Sequence, residues 1–337
     1  MEPEDSGSIP QNEERQMAHE IDMSNDRANM AYVGAAPWHG LGNRLQPGAP
    51  LREWQIAAGL DWTAERTSLY YQPTDSAPPT RLKGRSLLFR SDTQAPLGIL
   101  TDDRYKVVQP GAVLEFFREF LEVGSLEMET AGSLAGGKRI WALAKTGDEM
   151  DLGGDRLCGY LLLATSMDGS LATTARFTSV RVVCQNTLSM ADRQTQGACV
   201  RVPHSRSFNE KQVKAQLGLS HAIWEDFAGN VERLVNTRVS AGDVQAWLQG
   251  LFARPGEEAA VQPQKLAVKR VFEAVAASPG AKLPSAAGTA WGALNGLTYY
   301  VDHQRGRSSD TRLNSAWFGY GATLKQRALD SALEMFC

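Results

Sequence analysis

A period of two runs almost unbroken from Leu126 to Val183, interrupted at two turn dipeptides, Gly136-Gly137 and Asp168-Gly169. Successive side chains of a strand point to opposite faces, and Gly-rich dipeptides between such runs close hairpins. This stretch therefore predicts four antiparallel strands joined by tight turns. In the first, Leu126, Met128 and Thr130 alternate with Glu127 and Glu129. In the second, Ile140, Ala142 and Ala144 alternate with Trp141, Leu143 and Lys145. It is apolar on both sides, so both faces of the sheet must be covered. Leu157 to Thr165 forms the third. In the fourth, Leu171 to Val183, Ala175, Phe177, Ser179, Arg181 and Val183 fall on one side. Arg176, Thr178, Val180 and Val182 fall on the other.

Helical periodicity flanks this stretch. Ala112, Val113, Phe116, Phe117, Phe120 and Leu121 recur at spacings of three and four, from Pro110 to a stop at Gly124, which predicts one amphipathic helix. Gln185 to Arg193 reads as a helix following the fourth strand, capped by Asn186. Upstream, Leu51 to Gly59 predicts a short helix and Asp61 to Tyr71 a strand. Arg85 to Arg90 and Pro96 to Thr101 predict a hairpin through Ser91 to Gln94. Beyond Ser207 the apolar spacing is helical almost to the end, as in Val213, Leu217, Ile223, Trp224 and Phe227. The expected class is α+β, a curved antiparallel sheet of hairpins packed on helices, with a mostly helical C-terminal region. The expected division is an acidic disordered tail over 1–30, the sheet core over 31–206 and the helical region over 207–337.

With 42% hydrophobic and 22% charged residues among 337, a packed core is expected and global disorder is not. No apolar run approaches the roughly 18 residues that would span a bilayer. The first thirty residues lack the pattern of a signal peptide. No membrane association and a cytoplasmic location are expected. The four cysteines form no C-x-x-C pair and the five histidines no H-x-x-x-H, so neither a metal nor a cofactor is expected. Residues 1–30 carry eight acids and two bases, a net of −6 within a whole-chain charge of −3. The rest of the chain is thus mildly basic, and the head is either a solubilising tail or a competitor for an anionic ligand.

Catalytic patterns are weak. Gly132 to Lys138 approximates a phosphate-binding loop, but Arg139 stands where Ser or Thr must hold magnesium and a hairpin surrounds it. Asp102-Asp103 reads as a solvated turn. Cys184, beside Gln185 and Asn186, would need His204 or His221 as a base to become a nucleophile. The stronger signal is electrostatic. Between Arg176 and Lys214, 39 residues carry seven bases and two acids, interleaved with Thr173, Thr174, Thr178, Ser179, Gln185 and Asn186. Such donors suit phosphate oxygens. Lys138, Arg139, Arg176, Arg181, Arg201, Arg206, Lys211 and Lys214 are the candidate phosphate contacts, with Trp141 or Phe177 as a candidate base-stacking ring.

Trp38-His-Gly-Leu-Gly42, Asp103-Arg-Tyr-Lys-Val-Val-Gln109, Glu129-Thr-Ala-Gly-Ser-Leu-Ala-Gly-Gly137, Arg176-Phe-Thr-Ser-Val-Arg-Val-Val-Cys-Gln-Asn-Thr-Leu188 and Tyr300-Val-Asp-His303 carry a family resemblance. Over about residues 31 to 335 the chain resembles domain-of-unknown-function family number 932, also called phage/plasmid-like protein. That resemblance implies a mobile-element context and no catalytic residues. The order helix, strands, helix is also similar to the core of single-strand annealing proteins of the RecT, Erf and Rad types. There a bent sheet and its following helix form a basic groove, and protomers build rings or filaments. The resulting expectation is an ATP-independent single-stranded DNA-binding and annealing protein of phage or plasmid recombination, a homo-oligomer. The Trp38 loop, Trp317, Phe318 and Phe336 are its candidate contacts between protomers. The alternatives are a nucleic-acid- or nucleotide-modifying enzyme of a mobile element, and a host-interaction or anti-defence protein.

Overall fold

A computed structural model describes residues 21–24, 27–34, 37, 40–102, 104–183, 186–190, 199–217, 220–253, 262–306 and 309–337. The chain begins with strands β1 (Met30–Val33) and β2 (Asn43–Leu45) and helix α1 (Leu51–Ala57). Strands β3 (Ala64–Tyr71), β4 (Thr80–Arg90) and β5 (Pro96–Thr101) form a separate three-stranded antiparallel sheet. Short helices α2 (Pro110–Glu115) and α3 (Arg118–Glu122) lead into the main sheet. Its meander is β6 (Glu127–Leu134), β7 (Arg139–Asp151), β8 (Arg156–Ser166) and β9 (Thr173–Arg181), every pair antiparallel. Strand β1 extends it antiparallel to β6, and β2 pairs parallel to β1. On the far edge of β9 lie two short antiparallel strands end to end. Strand β10 (Asn186–Ser189) faces Thr178 to Arg181, and β11 (Cys199–Val202) faces Thr173 to Arg176.

The C-terminal region is helical: α4 (Glu210–Leu217), α5 (Ser220–Asn236), α6 (Ala241–Phe252), α7 (Gln262–Ala277), α8 (Ala290–Tyr299), α9 (Ser309–Phe318) and α10 (Tyr320–Phe336). A five-residue π-helical turn, Tyr300–Gln304, continues α8. The α+β class, the hairpin meander and the helical C-terminal region are all present. Residue pairing slips between Met128 and Thr130 and between Lys145 and Glu149, irregularities of the kind that bend a sheet.

Both faces of the meander are covered, as its double apolar pattern requires. Ile140, Ala142, Ala144, Leu161, Leu163, Ala175 and Phe177 pack with Phe116, Phe117, Trp224 and Phe227 in the larger core. Trp141, Leu143, Tyr160, Leu162 and Ala164 form a second core with Ile21, Met30 and Leu134, against Leu313, Trp317 and Phe318 of α9. Helix α8 is buried from Ala290 to Thr298. Its approach to α7 depends on Gly296, where a Cβ would stand 2.3 Å from Val275 Cγ2 and 2.7 Å from Val275 backbone atoms.

Three expectations are corrected. The helix over Ala112 to Val123 breaks at Phe116-Phe117. Consecutive helical residues point about 100° apart. The break lets both rings bury completely, edge to face with centroids 5.2 Å apart. The helix expected from Gln185 is strand β10 over Asn186 to Ser189. Asn186 does not cap; its Nδ2 donates to Asn295 O at 3.1 Å and Thr298 Oγ1 at 2.8 Å, tying the strand to α8. Residues 184–185 and 191–198, the rest of that expected helix, lie outside the described residues.

The third concerns the acidic head. Residues 1–20 lie outside the described residues, but Ile21, Asp22, Asn29 and Met30 are buried. Asp22 accepts from Asn29 Nδ2 at 2.8 Å and Ser133 Oγ at 3.1 Å, and pairs with Arg90. Arg90 also meets Asp92 at 2.7 Å and lies 4.4 Å from the Trp62 ring centroid. The fold therefore begins by Ile21, and this buried cluster bolts the small sheet to the large one.

Candidate ligand cleft beneath helix α9

The eight basic candidates do not form one stripe. Strand β9 places Arg176 and Arg181, five residues apart, on opposite faces. Arg181 points to the larger core and is 2% exposed. Its Nε and a terminal nitrogen donate to Asp155 at 2.6 and 2.7 Å. Gly280 O accepts from it at 3.1 Å, and Asp155 accepts further from Ser285 Oγ at 2.7 Å and Trp291 Nε1 at 3.2 Å. A guanidinium so enclosed is structural, and it is withdrawn as a phosphate contact. Lys214 also lies on the larger-core side, paired with Glu119 at 2.9 Å and above the rings of Phe116 and Phe120. Arg206 and Lys211 are exposed, between β11 and the first turn of α4.

Arg139, Arg176 and Arg201 share the other face. Arg139 is on the same side of β7 as Trp141; β11 sets Arg201 opposite Thr174 and Cys199 opposite Arg176. Helices α9 and α10 cross this face. Between them and the sheet lie two cavities, of about 620 and 270 Å³, and a third of about 10 Å³ that shares Leu162 and Arg176 with the larger and Leu143, Val180 and Thr187 with the smaller. Trp317 lines all three. The larger cavity is bounded by Arg176, Arg201, Ser170, Thr174, Phe318 and Asp330, among others. Arg139 flanks it, donating to Ser170 Oγ at 2.7 Å and lying 5.5 Å from the Phe318 centroid. Lys138 is exposed on the adjoining turn.

Arg176 donates to the Trp317 carbonyl oxygen, while its Nε is shut off from solvent without a hydrogen-bond partner. Burial pushes its guanidinium below the ordinary value, and nearby Arg201 pushes it further. At the wall of the smaller cavity, which Thr187 and Asp302 line, Thr187 N donates to Asp302 Oδ2 at 2.8 Å; Lys325 donates to Asp302 and to Thr187 Oγ1, both at 2.6 Å. Burial outweighs Asp302 and holds the Lys325 ammonium below its usual value. Asp302 reaches the smaller cavity from the π-helical turn, a local widening common at functional sites. The smaller cavity is mostly apolar, lined by Met30, Tyr32, Trp141, Tyr160, Glu129 and His303, among others. Burial raises the Glu129 carboxyl there above the usual carboxylate range.

The other candidates do not converge on this cleft. Phe177 is core on the opposite face; Trp141 is 2% exposed beneath Trp317, ring centroids 5.5 Å apart. His204 has its ring nitrogens 2.9 Å from Lys106 O and 3.0 Å from Leu171 O, and stacks on Tyr105. It is a structural strut. Asp102 belongs to the small-sheet side, its carbonyl accepting from Arg66. Asp103, Cys184, Gln185 and the His221 side chain lie outside the described residues. Among the described residues, no group of three His, Cys, Asp or Glu is placed to hold a metal ion. Sequence reasoning missed Asp302 as a site residue and missed Lys325 altogether; the quoted motif Tyr300 to His303 was the available signal.

Fold and site together define an α+β protein whose antiparallel sheet carries a basic, aromatic cleft under a C-terminal helix pair. The family profile described as "Domain of unknown function (DUF932)" matches residues 97–317, and the chain belongs to that family. The match runs from β5 to the end of α9, so it takes in every strand of the meander and Trp317. No curated protein matches the chain, and no solved structure does. No helix among the described residues is long and apolar enough to cross a membrane.

Proposed function

We propose that this protein binds single-stranded DNA and serves as an ATP-independent annealing protein of a phage or plasmid, acting in the cytoplasm as a homo-oligomer. The observation that carries the reading is the gathering of Arg139, Arg176 and Arg201 around one cleft beside Trp317 and Phe318, with Lys138 exposed on the turn before Arg139. Cations that follow the backbone together with rings that accept any base are what sequence-independent single-strand binding needs. Annealing adds only that base edges stay free to pair, and it asks for no catalytic acid or nucleophile.

Fluorescence anisotropy of a labelled oligonucleotide across a salt series tests the binding. Four phosphate contacts on a single strand give a slope of log affinity against log salt of about −2.8, so binding weakens about fifty-fold between 50 and 200 mM salt. A flat response, or no binding at 50 mM, refutes the reading and favours a protein partner. Strand pairing followed by energy transfer between complementary labelled oligonucleotides tests annealing separately.

We infer that assembly draws on surfaces other than Trp317, Phe318 and Phe336. Trp317 and Phe318 pack in the second core, and Phe336 lies 5.8 Å from the Trp247 ring. Trp38 lies outside the described residues. Leu266 and Phe272 of α7 and Tyr320 and Met335 of α10 are among the exposed apolar side chains and are candidate contacts. Light scattering that finds a monomer, alone and with a long single strand, refutes the oligomer.

A further inference from the structure

The fully buried arginines and lysines of the described chain follow one rule. Arg90, Arg181 and Lys325 are buried, and each holds a carboxylate: Asp92 at 2.7 Å, Asp155 at 2.6 Å and Asp302 at 2.6 Å. Taking a charge out of water is costly unless it is paired, which explains the rule. Arg176, partly buried, departs from it. Among the described residues it has no carboxylate partner, its one hydrogen bond goes to the Trp317 carbonyl oxygen, and its Nε is buried with none. What it does face is the cavity of about 620 Å³, across which lies a second cation, Arg201.

We propose that this cavity is the seat of a terminal phosphate, a phosphomonoester held between Arg176 and Arg201. Strand register places Arg201 diagonally from Arg176, at about 7–8 Å between backbones. That gap suits one oxyanion shared by two planar guanidinium forks. A terminal phosphate has three free oxygens for two forks, whereas a carboxylate has two. Thr174 and Ser170 add hydroxyls to the wall. Asp330 also lines the cavity, accepting from Gln326 Nε2 at 3.1 Å; the two arginines keep the balance positive. The volume falls within the range of small-molecule sites, so the rest of the ligand can be nucleotide-sized. The seat stands without the annealing reading. It asks for a phosphate that ends a ligand, on a free nucleotide or on a 5′ chain end.

Calorimetry on the full-length protein compares thymidine 5′-monophosphate with thymidine, and a 5′-phosphorylated oligonucleotide with its 5′-hydroxyl counterpart. Charged hydrogen bonds to a phosphate favour the phosphorylated member of at least one pair by roughly tenfold or more. Preference in the first pair identifies a free nucleotide, and preference in the second a chain end. The preference disappears in Arg201→Gln, an exposed position whose loss spares the fold, and in Arg176→Gln. The bound phosphate also slows alkylation of Cys199, which lines the cavity, relative to exposed Cys337. Equal affinity within both pairs overturns the seat, while salt-dependent binding of the 5′-hydroxyl strand would leave single-strand binding standing. A preference that survives Arg201→Gln overturns it too.

Discussion

Replacing Asp155 tests the assignment of Arg181 as structure rather than binding surface. Asp155 is fully buried at the start of β8 and gathers four hydrogen bonds, two from Arg181, one from Ser285 and one from Trp291. The last two residues belong to the helical region, so this carboxylate ties sheet to helices. Asp155→Ala takes the carboxylate away from a buried guanidinium. Removing one partner of such a pair costs about 3–5 kcal/mol, a loss of roughly 4–7 °C in Tm for a chain of this size. Burial opposes the charged carboxylate, but the hydrogen bonds from Arg181, Ser285 and Trp291 outweigh it and hold its pKa below the ordinary value. A carboxyl depressed in the fold stabilises most above its unfolded value near 4, and that stability is lost as pH falls through the folded value. Urea unfolding of wild type and Asp155→Ala at pH 7 and pH 3 reads both effects. The gap between the two proteins should be widest at pH 7 and narrow at pH 3. A cost under about 1 kcal/mol at pH 7 refutes the argument, because an Arg181 that tolerates losing its partner must have reached water.

Four further outcomes can be measured. Deleting residues 1–20 removes six acids and one base and should tighten DNA binding in anisotropy if that segment competes for the cleft; Asp22→Ala, in contrast, should cost about 3 kcal/mol in urea unfolding because Arg90 loses a carboxylate. Gly296→Ala forces a methyl into Val275 and should lower stability by about 1–3 kcal/mol, read as a lower urea midpoint. The triple variant Lys138→Ala, Arg139→Ala, Arg201→Ala should flatten the salt slope of single-strand binding by about two units, whereas Lys211→Ala should leave it unchanged.

The parts of the fold written in short-range pattern are legible in the sequence. Alternation placed all four strands of the meander. Gly59 stopped α1 as expected, its φ of +63° allowing Leu60 N to reach back to Gln55 O at 2.8 Å. Where tertiary packing decides, the pattern misled. Thr187 and Leu188 suit helix or strand, and the unpaired edge of β9 settles the matter by offering backbone partners. Asp22 looks like one more acid of a polar head until Arg90, 68 residues away, is seen to need it. The cleft was legible only in part. Its arginines announce themselves, but Lys325 lies 138 residues from Thr187, and no local signal links them.

Charge counted along a strand is not charge presented to a ligand. The run from Arg176 to Lys214 is strongly basic on paper, and with Lys138 and Arg139 it offered eight contacts. Eight contacts would weaken single-strand binding about two-thousand-fold from 50 to 200 mM salt, against about fifty-fold for four. The odd spacing between Arg176 and Arg181 already forbids their sharing a groove, since a strand repeats every two residues. The core claims Arg181, and Lys214 is drawn by Glu119 and two phenylalanines to the far side. On the proposed reading, what remains around the cleft would hold a few nucleotides, too few for stable pairing of long strands. A protein with this cleft can anneal only by repeating it, and so its oligomeric state, more than the affinity of one protomer, decides whether annealing is its work.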